Sequence, residues 1–175
     1  MRTTIRSARL QDGPVLQEIE RQSGQRFREV GLDFIADADP DSLELLAEYA
    51  NGGRAWVCVD EFGNTLGYVL VDQVDGNAHI AQVSVRPEAQ GRGLGRQLLD
   101  RVREWAEQSE KSSITLTTFR HVPWNRPLYE HLGFSVLVQS ELGPELSAIR
   151  DDETAQGLDP ATRVCMRLKL HPMPS

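Results

Sequence analysis

The sequence predicts a single domain of the mixed α/β class, and two observations lead to this class. Strand-like and helix-like stretches follow one another over 175 residues without a linker, an internal repeat or a low-complexity segment. The middle of the chain reads as three consecutive strands, separated by the turn sequences EFGN and VDGN. Such a run of strands departs from the strict strand–helix alternation of a doubly wound fold.

The first third of the chain begins with a strand and continues with two helices. TTIRSARL alternates in the manner of a strand, and Asp12 is expected to cap the first helix, with Pro14 in its first turn. A second helix is expected after a cap at Asp39 or Asp41, and the sequence NGG ends it.

The second half, after the three strands, predicts further helices and strands in alternation. Apolar residues recur at helical spacing at Leu94, Leu98, Val102 and Trp105. SITLTTF then predicts a strand, and a short helix is expected from near Trp124 to Gly133, a residue suited to the position after a helix. FSVLVQS predicts a strand, ELSAIRDDETAQGL a helix and TRVCMRLKL a final strand.

Composition and charge exclude several classes of protein. The net charge of −7 disfavours a basic face for nucleic acid or anionic lipid, and no apolar run has the length of a membrane span. The N-terminal stretch lacks the apolar core of a signal peptide. Cys58 and Cys165 do not make a disulfide framework, and the four histidines lack metal-ligand spacing. We therefore expect a cytoplasmic protein without a metal.

A glycine-rich turn lies between the last of the three consecutive strands in the middle of the chain and the helix that is expected to begin at Leu94. Gly91, Gly93 and Gly95 alternate there with Arg92 and Arg96 nearby. Glycines let a backbone approach a ligand closely, and the free amides and dipole at a helix start favour an anion such as phosphate. Neither a Walker A loop nor a dinucleotide fingerprint fits the spacing.

Two motifs carry a resemblance to a known family. VSVRPEAQGRGLGRQLL contains [QR]-x-x-G-x-[GA], met by Gln90, Gly93 and Gly95, and LYEHLGF contains L-Y-x-x-x-G-F, met from Leu128 to Phe134. Together they resemble the acyl-CoA signature and the C-terminal motif of the GNAT superfamily of N-acetyltransferases. The resemblance covers about residues 1–140. It implies a central, mostly antiparallel sheet that splays between the fourth and fifth strands, flanked by helices. We expect one domain over 1–175, with a core at 1–140 and a C-terminal helix and strand at 141–175.

The resemblance implies acetyl-CoA as the cosubstrate and a set of residues that bind it. The main chain of Val83, Ser84 and Val85 would pair with pantetheine. The diphosphate would lie on the turn and the helix start, at Gln90, Gly91, Arg92, Gly93, Leu94, Gly95 and Arg96. Asn125 stands where the family usually has a small residue. It is expected either to contact the coenzyme or to cap the following helix.

The resemblance also implies catalytic residues. Tyr129 matches the tyrosine that protonates the leaving thiolate as a general acid. Family members commonly place a glutamate base eleven residues before the motif glutamine, and here that position is His79, whose reference pKa suits a base. Glu20 on the first helix is a second candidate, and a base that acts through water is a third. Gln82 is suited to orient a substrate, whereas the two cysteines read as buried strand residues.

The sequence thus predicts an N-acetyltransferase that moves the acetyl group directly to a primary amine, expected to belong to a small molecule. Acidic residues near the expected acceptor region would attract a cationic amine: Asp33, Asp37, Asp39, Asp151 and Asp152. A protein N-terminus or lysine as acceptor, and a non-catalytic acyl-CoA sensor, stay open as alternatives. A homodimer through the C-terminal helix and strand is compatible with each of these functions.

Overall fold

A computed structural model describes residues 2–171 of the chain. The strands in this range are β1 (Thr3–Ser7), β2 (Ala55–Asp60), β3 (Thr65–Val74), β4 (Asn77–Val85), β5 (Ser113–Phe119), β6 (Ser135–Val136) and β7 (Arg163–Lys169). The α-helices are α1 (Gly13–Gly24), α2 (Asp33–Ala36), α3 (Leu43–Asn51), α4 (Leu94–Gln108), α5 (Arg126–His131) and α6 (Pro144–Ala155). Short 3-10 turns connect several of them, at Gln25–Val30 and Pro87–Ala89 among others.

The strands form one seven-stranded sheet in the order β1-β2-β3-β4-β5-β7-β6. β1 and β2 are antiparallel, as are β2 and β3, β5 and β7, and β6 and β7. β4 and β5 run parallel, with Ala78 opposite Ile114 and His79 opposite Thr115. The predicted mixed α/β class with a mostly antiparallel sheet is confirmed.

The chain divides into two compact units, the first of which comprises Met1–Val71 and Ala81–Val102. Its core is an apolar cluster to which α1, α3, β2 and β3 contribute. The members of this cluster are Ala8, Leu16, Ile19, Leu46, Tyr49, Ala55, Val57, Val59, Tyr68 and Leu70. Burial of each large apolar side chain stabilises the fold by about 1.5–3 kcal/mol, so α1 is held on the strands by the face that carries Leu16 and Ile19.

The second unit comprises Asp72–Ile80 and Arg103–Ser175. Helix α6 is held there by a reciprocal cap. The Asp75 carboxylate accepts hydrogen bonds from the N–H groups of Glu145 and Leu146, both at 2.9 Å, and the Glu145 carboxylate accepts one from the Asp75 N–H at 2.8 Å. The turn between β3 and β4 therefore supplies the cap of a helix some 70 residues further along.

Three details differ from the sequence prediction. The Asp12 carboxylate is buried and accepts hydrogen bonds from the Arg6 side chain and the Arg9 N–H, so it fixes the end of β1 rather than capping α1. Ser42, not Asp39 or Asp41, caps α3, because its hydroxyl accepts from the Leu45 N–H at 3.1 Å. The FSVLVQS strand shortens to Ser135–Val136.

Candidate functional site

The glycine-rich turn of the first unit is an open backbone surface. Gly91 and Gly93 have φ values of 79° and 77°, the left-handed region that favours glycine. A Cβ atom built at Gly91, Gly93 or Gly95 would meet no atom of the described residues within 4 Å. Apart from the adjoining residues of the turn itself, residues 2–171 therefore leave open space at the Cβ positions of these glycines.

The turn leads directly into helix α4, which begins at Leu94 as predicted. The first helical hydrogen bond runs from the Gln97 N–H to the Gly93 carbonyl at 3.1 Å. The amides of Leu94, Gly95 and Arg96 precede that bond, and helical geometry directs them out of the helix end. Leu94 is 3% exposed and anchors the helix start, whereas the side chains of Arg92 and Arg96 are exposed. Free amides, the helix dipole and two cations together favour an anionic group.

The Gln90 side chain holds the turn in place. Its Nε2 donates to the Val85 carbonyl at 3.1 Å, and its Oε1 accepts from the Arg26 guanidinium at 3.0 Å. Gln90 thus connects the end of β4 to the 3-10 turn that follows α1. This position suits a residue that shapes the turn, and the Val85 carbonyl, one of the main-chain groups expected to meet the coenzyme, already accepts one hydrogen bond.

The end of β4 contains the other residues expected to bind the coenzyme. Val83 and Val85 are half-buried, and Ser84 is 6% exposed. The Ser84 hydroxyl accepts a hydrogen bond from the Gln82 side chain at 2.7 Å, so these two side chains share one face of the strand. A Cβ atom at Gly67 of β3 would lie 2.8 Å from the Ser84 carbonyl oxygen. Glycine at this position therefore permits the close approach of β3 and β4.

Glu20, one of the predicted bases, lies at half-buried depth on α1. Its Oε2 accepts a hydrogen bond from the Asp41 N–H at 2.9 Å, and Gln17 donates to the Asp41 carbonyl. Burial raises the pKa of Glu20 to about 7, although the Asp41 N–H lowers it. A carboxyl group with this pKa exchanges protons near neutral pH, as a general base requires.

Tyr129 belongs to the second unit and lies in the last turn of α5. The Gly133 N–H donates to the Glu130 carbonyl at 3.0 Å, and the Phe134 N–H donates to the Tyr129 carbonyl at 3.0 Å. These two bonds form a Schellman motif, with Gly133 at a φ of 99°. The Phe134 ring contacts the Tyr129 ring edge to face, with centroids 5.8 Å apart. The L-Y-x-x-x-G-F pattern is thus a helix ending that fixes the tyrosine.

The electrostatics of the α5 region keep the Tyr129 phenol protonated. Burial raises the pKa of Tyr129 to about 12, and the Arg163 guanidinium lowers it somewhat. Asn125 is at the start of the helix, where its carbonyl accepts from the Tyr129 N–H at 3.2 Å. Its side chain makes no capping hydrogen bond within the described part of the chain. The Asn125 side chain therefore does not cap α5, which was one of its two expected roles.

His79 is buried, whereas a base that accepts a proton from a substrate must be accessible. It is 4% exposed on β4, and its Nδ1 lies 2.8 Å from the Thr115 hydroxyl of β5, its register partner. Burial lowers the pKa of His79, with Asp72, Glu153 and Asp75 opposing that effect by their charge. This geometry is that of a neutral histidine satisfied inside the second unit.

The sequence also raised the two cysteines and possible metal ligands as candidates for chemistry. Cys58 and Cys165 are free and buried, as predicted, and burial raises the pKa of both thiols, which disfavours a thiolate nucleophile. Within residues 2–171, no group of three or more histidine, cysteine, aspartate or glutamate side chains could hold a metal ion. Within the same range, no helix has both the length and the apolar character that crossing a membrane demands.

Two residues near these groups escaped sequence reasoning. Arg26 contacts the motif glutamine from a distance of 64 positions, and Tyr68 is buried in the core cluster beside the helix that carries Glu20. In the sequence, Arg26 is one of several arginines in a polar stretch, and Tyr68 is an aromatic residue in an apolar strand. Neither position carries a motif that distinguishes it.

The chain is similar to a known protein family and to named relatives. The family model described as Acetyltransferase (GNAT) family matches residues 19–134. The IAA acetyltransferase of Azospirillum brasilense is 28% identical over 138 residues, which are 76% of this chain and 84% of that protein.

Solved structures share the fold over nearly the whole chain. The ribosomal-protein-S18-alanine N-acetyltransferase from Escherichia coli superposes with a TM-score of 0.69 at 21% identity, covering 99% of this chain and 97% of that one. The PaiA N-acetyltransferase from Thermoplasma acidophilum, in complex with coenzyme A, superposes with a TM-score of 0.72 at 15% identity, covering 97% and 100%. With the family model matched from residue 19 to residue 134, the chain belongs to the GNAT family and is an N-acetyltransferase.

Proposed function

We propose that this protein transfers the acetyl group of acetyl-CoA directly to a primary amine of a small molecule. The observation that supports this proposal most is the open glycine turn that leads into α4. Its left-handed glycines, outward amides and two exposed arginines provide the features that a coenzyme diphosphate requires. The similar PaiA N-acetyltransferase was solved in complex with coenzyme A.

The proposed reaction forms an N–C bond and breaks the C–S bond of the thioester. The amine gives up a proton to the base, and the thiolate receives one from the acid. Tyr129 is the proposed acid, because a phenol with a pKa of about 12 is fully protonated at neutral pH. Acid catalysis of this kind typically contributes about 10²–10⁴-fold in rate.

Glu20 is the proposed base, in preference to His79. The pKa of Glu20 is about 7, and its side chain is only half-buried, so both its proton affinity and its access suit the role. His79 is 4% exposed and its Nδ1 is engaged with Thr115. For His79 to act as a base, β4 and β5 would have to separate at this position.

A cationic small amine is the proposed acceptor, on the basis of charge. The exposed aspartates of the α2 region, Asp33, Asp37 and Asp39, offer negative potential to such a molecule. Asp37 pairs with Arg28, which reduces its part in that potential. The IAA acetyltransferase relative and the ribosomal-protein-S18-alanine N-acetyltransferase differ in acceptor by their names, so the acceptor must be found by experiment.

The decisive experiment measures release of free thiol from acetyl-CoA across a panel of acceptors. The panel contains a polyamine, an aminoglycoside, free lysine, and peptides with a free N-terminus or an internal lysine. Turnover of a small amine supports the proposal, whereas turnover of peptides alone indicates a protein acceptor. Acetyl-CoA binding without any turnover indicates a sensor, and the absence of binding would overturn the assignment of the glycine turn.

A matched pair of glycine variants tests the turn itself. Gly93 and Gly31 have φ values of 77° and 75°, and at both a Cβ atom meets nothing within 4 Å among the described residues. Gly93→Ala and Gly31→Ala therefore impose similar backbone strain. We expect Gly93→Ala to weaken acetyl-CoA binding by about tenfold or more, about 1.4 kcal/mol, in calorimetry. Gly31→Ala should leave the affinity unchanged, and equal affinities of the two variants would contradict the proposal.

A further inference from the structure

Arg26 connects the 3-10 turn that follows α1 to the first residue of the coenzyme motif. Its Nη1 donates a hydrogen bond to Oε1 of Gln90 at 3.0 Å, and Nε2 of Gln90 donates to the Val85 carbonyl at 3.1 Å. All three residues are half-buried. A hydrogen bond from a charged donor is about twice as strong as a neutral one. Two consecutive hydrogen bonds therefore lead from Arg26 to the end of β4.

These two partners determine the orientation of the Gln90 amide. In the reverse orientation, the amide nitrogen would face the Arg26 guanidinium and the amide oxygen would face the Val85 carbonyl. An arginine side chain only donates hydrogen bonds and a carbonyl only accepts them, so both contacts would be repulsive. Arg26 and Val85 therefore select one orientation together. Without Arg26, the oxygen end of the amide would lose the cation that holds it.

Gln90 lies where the backbone changes direction before the glycine turn. The 3-10 turn Pro87–Ala89 precedes it, and Ala89 is 2% exposed. Gln90 itself is extended, with φ −69° and ψ 155°, and Gly91 then adopts the left-handed φ of 79°. A side chain that is held at Gln90 thus fixes the point at which the open turn begins. The amides proposed to meet the diphosphate follow directly from that point.

A second contact holds α1 against the same stretch of chain. Nη1 of Arg86 donates to Oε1 of Gln22 on α1 at 3.0 Å, and Nε of Arg86 donates to the Thr65 carbonyl at 2.7 Å. The Arg86 side chain is 15% exposed. Gln22 and Arg26 are four positions apart, as are Arg86 and Gln90. α1 and its continuation therefore meet the approach to the glycine turn at two places, and the Arg86 contact supports the reach of Arg26 to Gln90.

We infer that Arg26 is a positioning residue for the coenzyme, because it fixes the Gln90 amide and Gln90 fixes the start of the glycine turn. The inference rests on the proposed function of that turn as the diphosphate site. Arg26 acts through Gln90 and not by touching the coenzyme. In a variant without Arg26, the turn spends a smaller fraction of time in the conformation that binds, and the apparent affinity falls in proportion to that fraction.

The test is calorimetry with acetyl-CoA on the full chain. We expect Arg26→Ala to weaken binding by about fivefold or more. Arg26→Lys keeps the charge and a donor but not the planar fork, so it should lose less affinity, and it provides the test if Arg26→Ala does not fold. Arg21→Ala removes an exposed cation from α1. It should keep the affinity within about twofold, because an exposed charge is screened by salt.

A double-mutant cycle separates positioning from direct attraction. If Arg26 acts through Gln90, Arg26→Ala weakens binding in the wild type but causes little further loss in Gln90→Ala. Additive losses would show that Arg26 acts on the coenzyme by its own charge and would overturn the inference. In steady state, the KM for acetyl-CoA should rise with the Kd, while kcat at saturation stays within about twofold of wild type. A loss confined to kcat would also overturn the inference.

Gly93→Ala in the same calorimetry separates a failure of this inference from a failure of the proposed function. Weak binding by Gly93→Ala together with wild-type affinity in Arg26→Ala and Arg26→Lys would overturn the inference alone. Wild-type affinity in all three variants would overturn the assignment of the glycine turn, and the inference would fall with it.

Discussion

At the scale of single residues, the environment of each ionisable group determines which chemistry it is able to perform. Glu20 and His79 are both ordinary titratable side chains in the sequence. The structure gives the carboxyl a pKa of about 7 at a half-buried position, and it encloses the imidazole against Thr115 with a lowered pKa. The residue type suggested histidine as the base, whereas the surroundings favour the glutamate.

Tyr129→Phe tests the proposed acid. The substitution keeps the ring and its edge-to-face contact with Phe134, and it removes only the phenolic proton donor. We expect kcat to fall by about 10²-fold or more, because the thiolate would leave without general-acid assistance. The measurement is steady-state thiol release with the best acceptor of the panel.

The affinity of this variant for acetyl-CoA is the internal control. It should stay within about twofold of wild type, since a loss restricted to kcat indicates an interaction made only in the transition state. A Tyr129→Phe enzyme with wild-type kcat would rule out this phenol as the acid. The thiolate would then take its proton from water.

At the scale of single elements, two helices end in the same hydrogen-bond pattern, and one of these endings holds the proposed acid. α5 ends in the Schellman motif around Gly133 that fixes Tyr129, and α4 ends in the same pattern with a different residue at its left-handed position. There the Glu110 N–H donates to Glu107 and the Lys111 N–H donates to Ala106, with Glu110 at a φ of 59°. A residue with a Cβ atom pays a conformational cost at that position.

Glu110→Gly should therefore stabilise the protein. Relief of the left-handed strain outweighs the greater freedom of glycine in the unfolded chain, so we expect the free energy of unfolding to rise by about 0.5–1 kcal/mol. Urea denaturation at neutral pH provides the measurement. Glu110→Ala is the matched control, because it removes the same exposed carboxylate but keeps the Cβ atom. An equal gain in both variants would show that charge, rather than backbone strain, is responsible.

The elements themselves were largely predictable from sequence, and the exceptions have physical causes. The start of α4 at Leu94 follows from the glycine turn, and Gly133 follows α5 because glycine adopts its φ of 99° readily. The cap of α3 was not predictable, since Asp39, Asp41 and Ser42 all lie close before the helix start and each has a side chain suited to a cap. In the structure Ser42 is the cap, while the backbone of Asp41 is bonded to Glu20 and Gln17. Likewise, the alternation along β4 predicts which side chains share a face but not that His79 is covered.

At the scale of the whole molecule, its titrating groups affect stability in opposite directions as the pH changes. The folded-state pKa of His79 is depressed, so its contribution is present above about pH 6.5 and is lost as the pH falls toward the folded value. Glu153, held by Arg163 and Thr117, likewise has a lowered pKa, and its contribution is lost on acidification below about pH 4.5. Glu20 has a raised pKa, so its effect runs the other way.

The raised pKa of Glu20 predicts a loss of stability in the wild type as the pH rises. Between pH 4.5 and about 7 the unfolded chain ionises Glu20 while the folded chain keeps it protonated, so folding becomes less favourable across that window. Glu20→Gln removes this titration and keeps an oxygen for the Asp41 N–H. We expect the stability of the variant relative to wild type to increase by roughly 1–3 kcal/mol from pH 4 to pH 8, measured by urea denaturation at both pH values. Because His79 and Glu153 titrate in both proteins, their effects cancel in the difference. A difference that is constant with pH would mean that Glu20 ionises in the folded protein at its ordinary pKa, and it would remove the electrostatic basis for its role as the base.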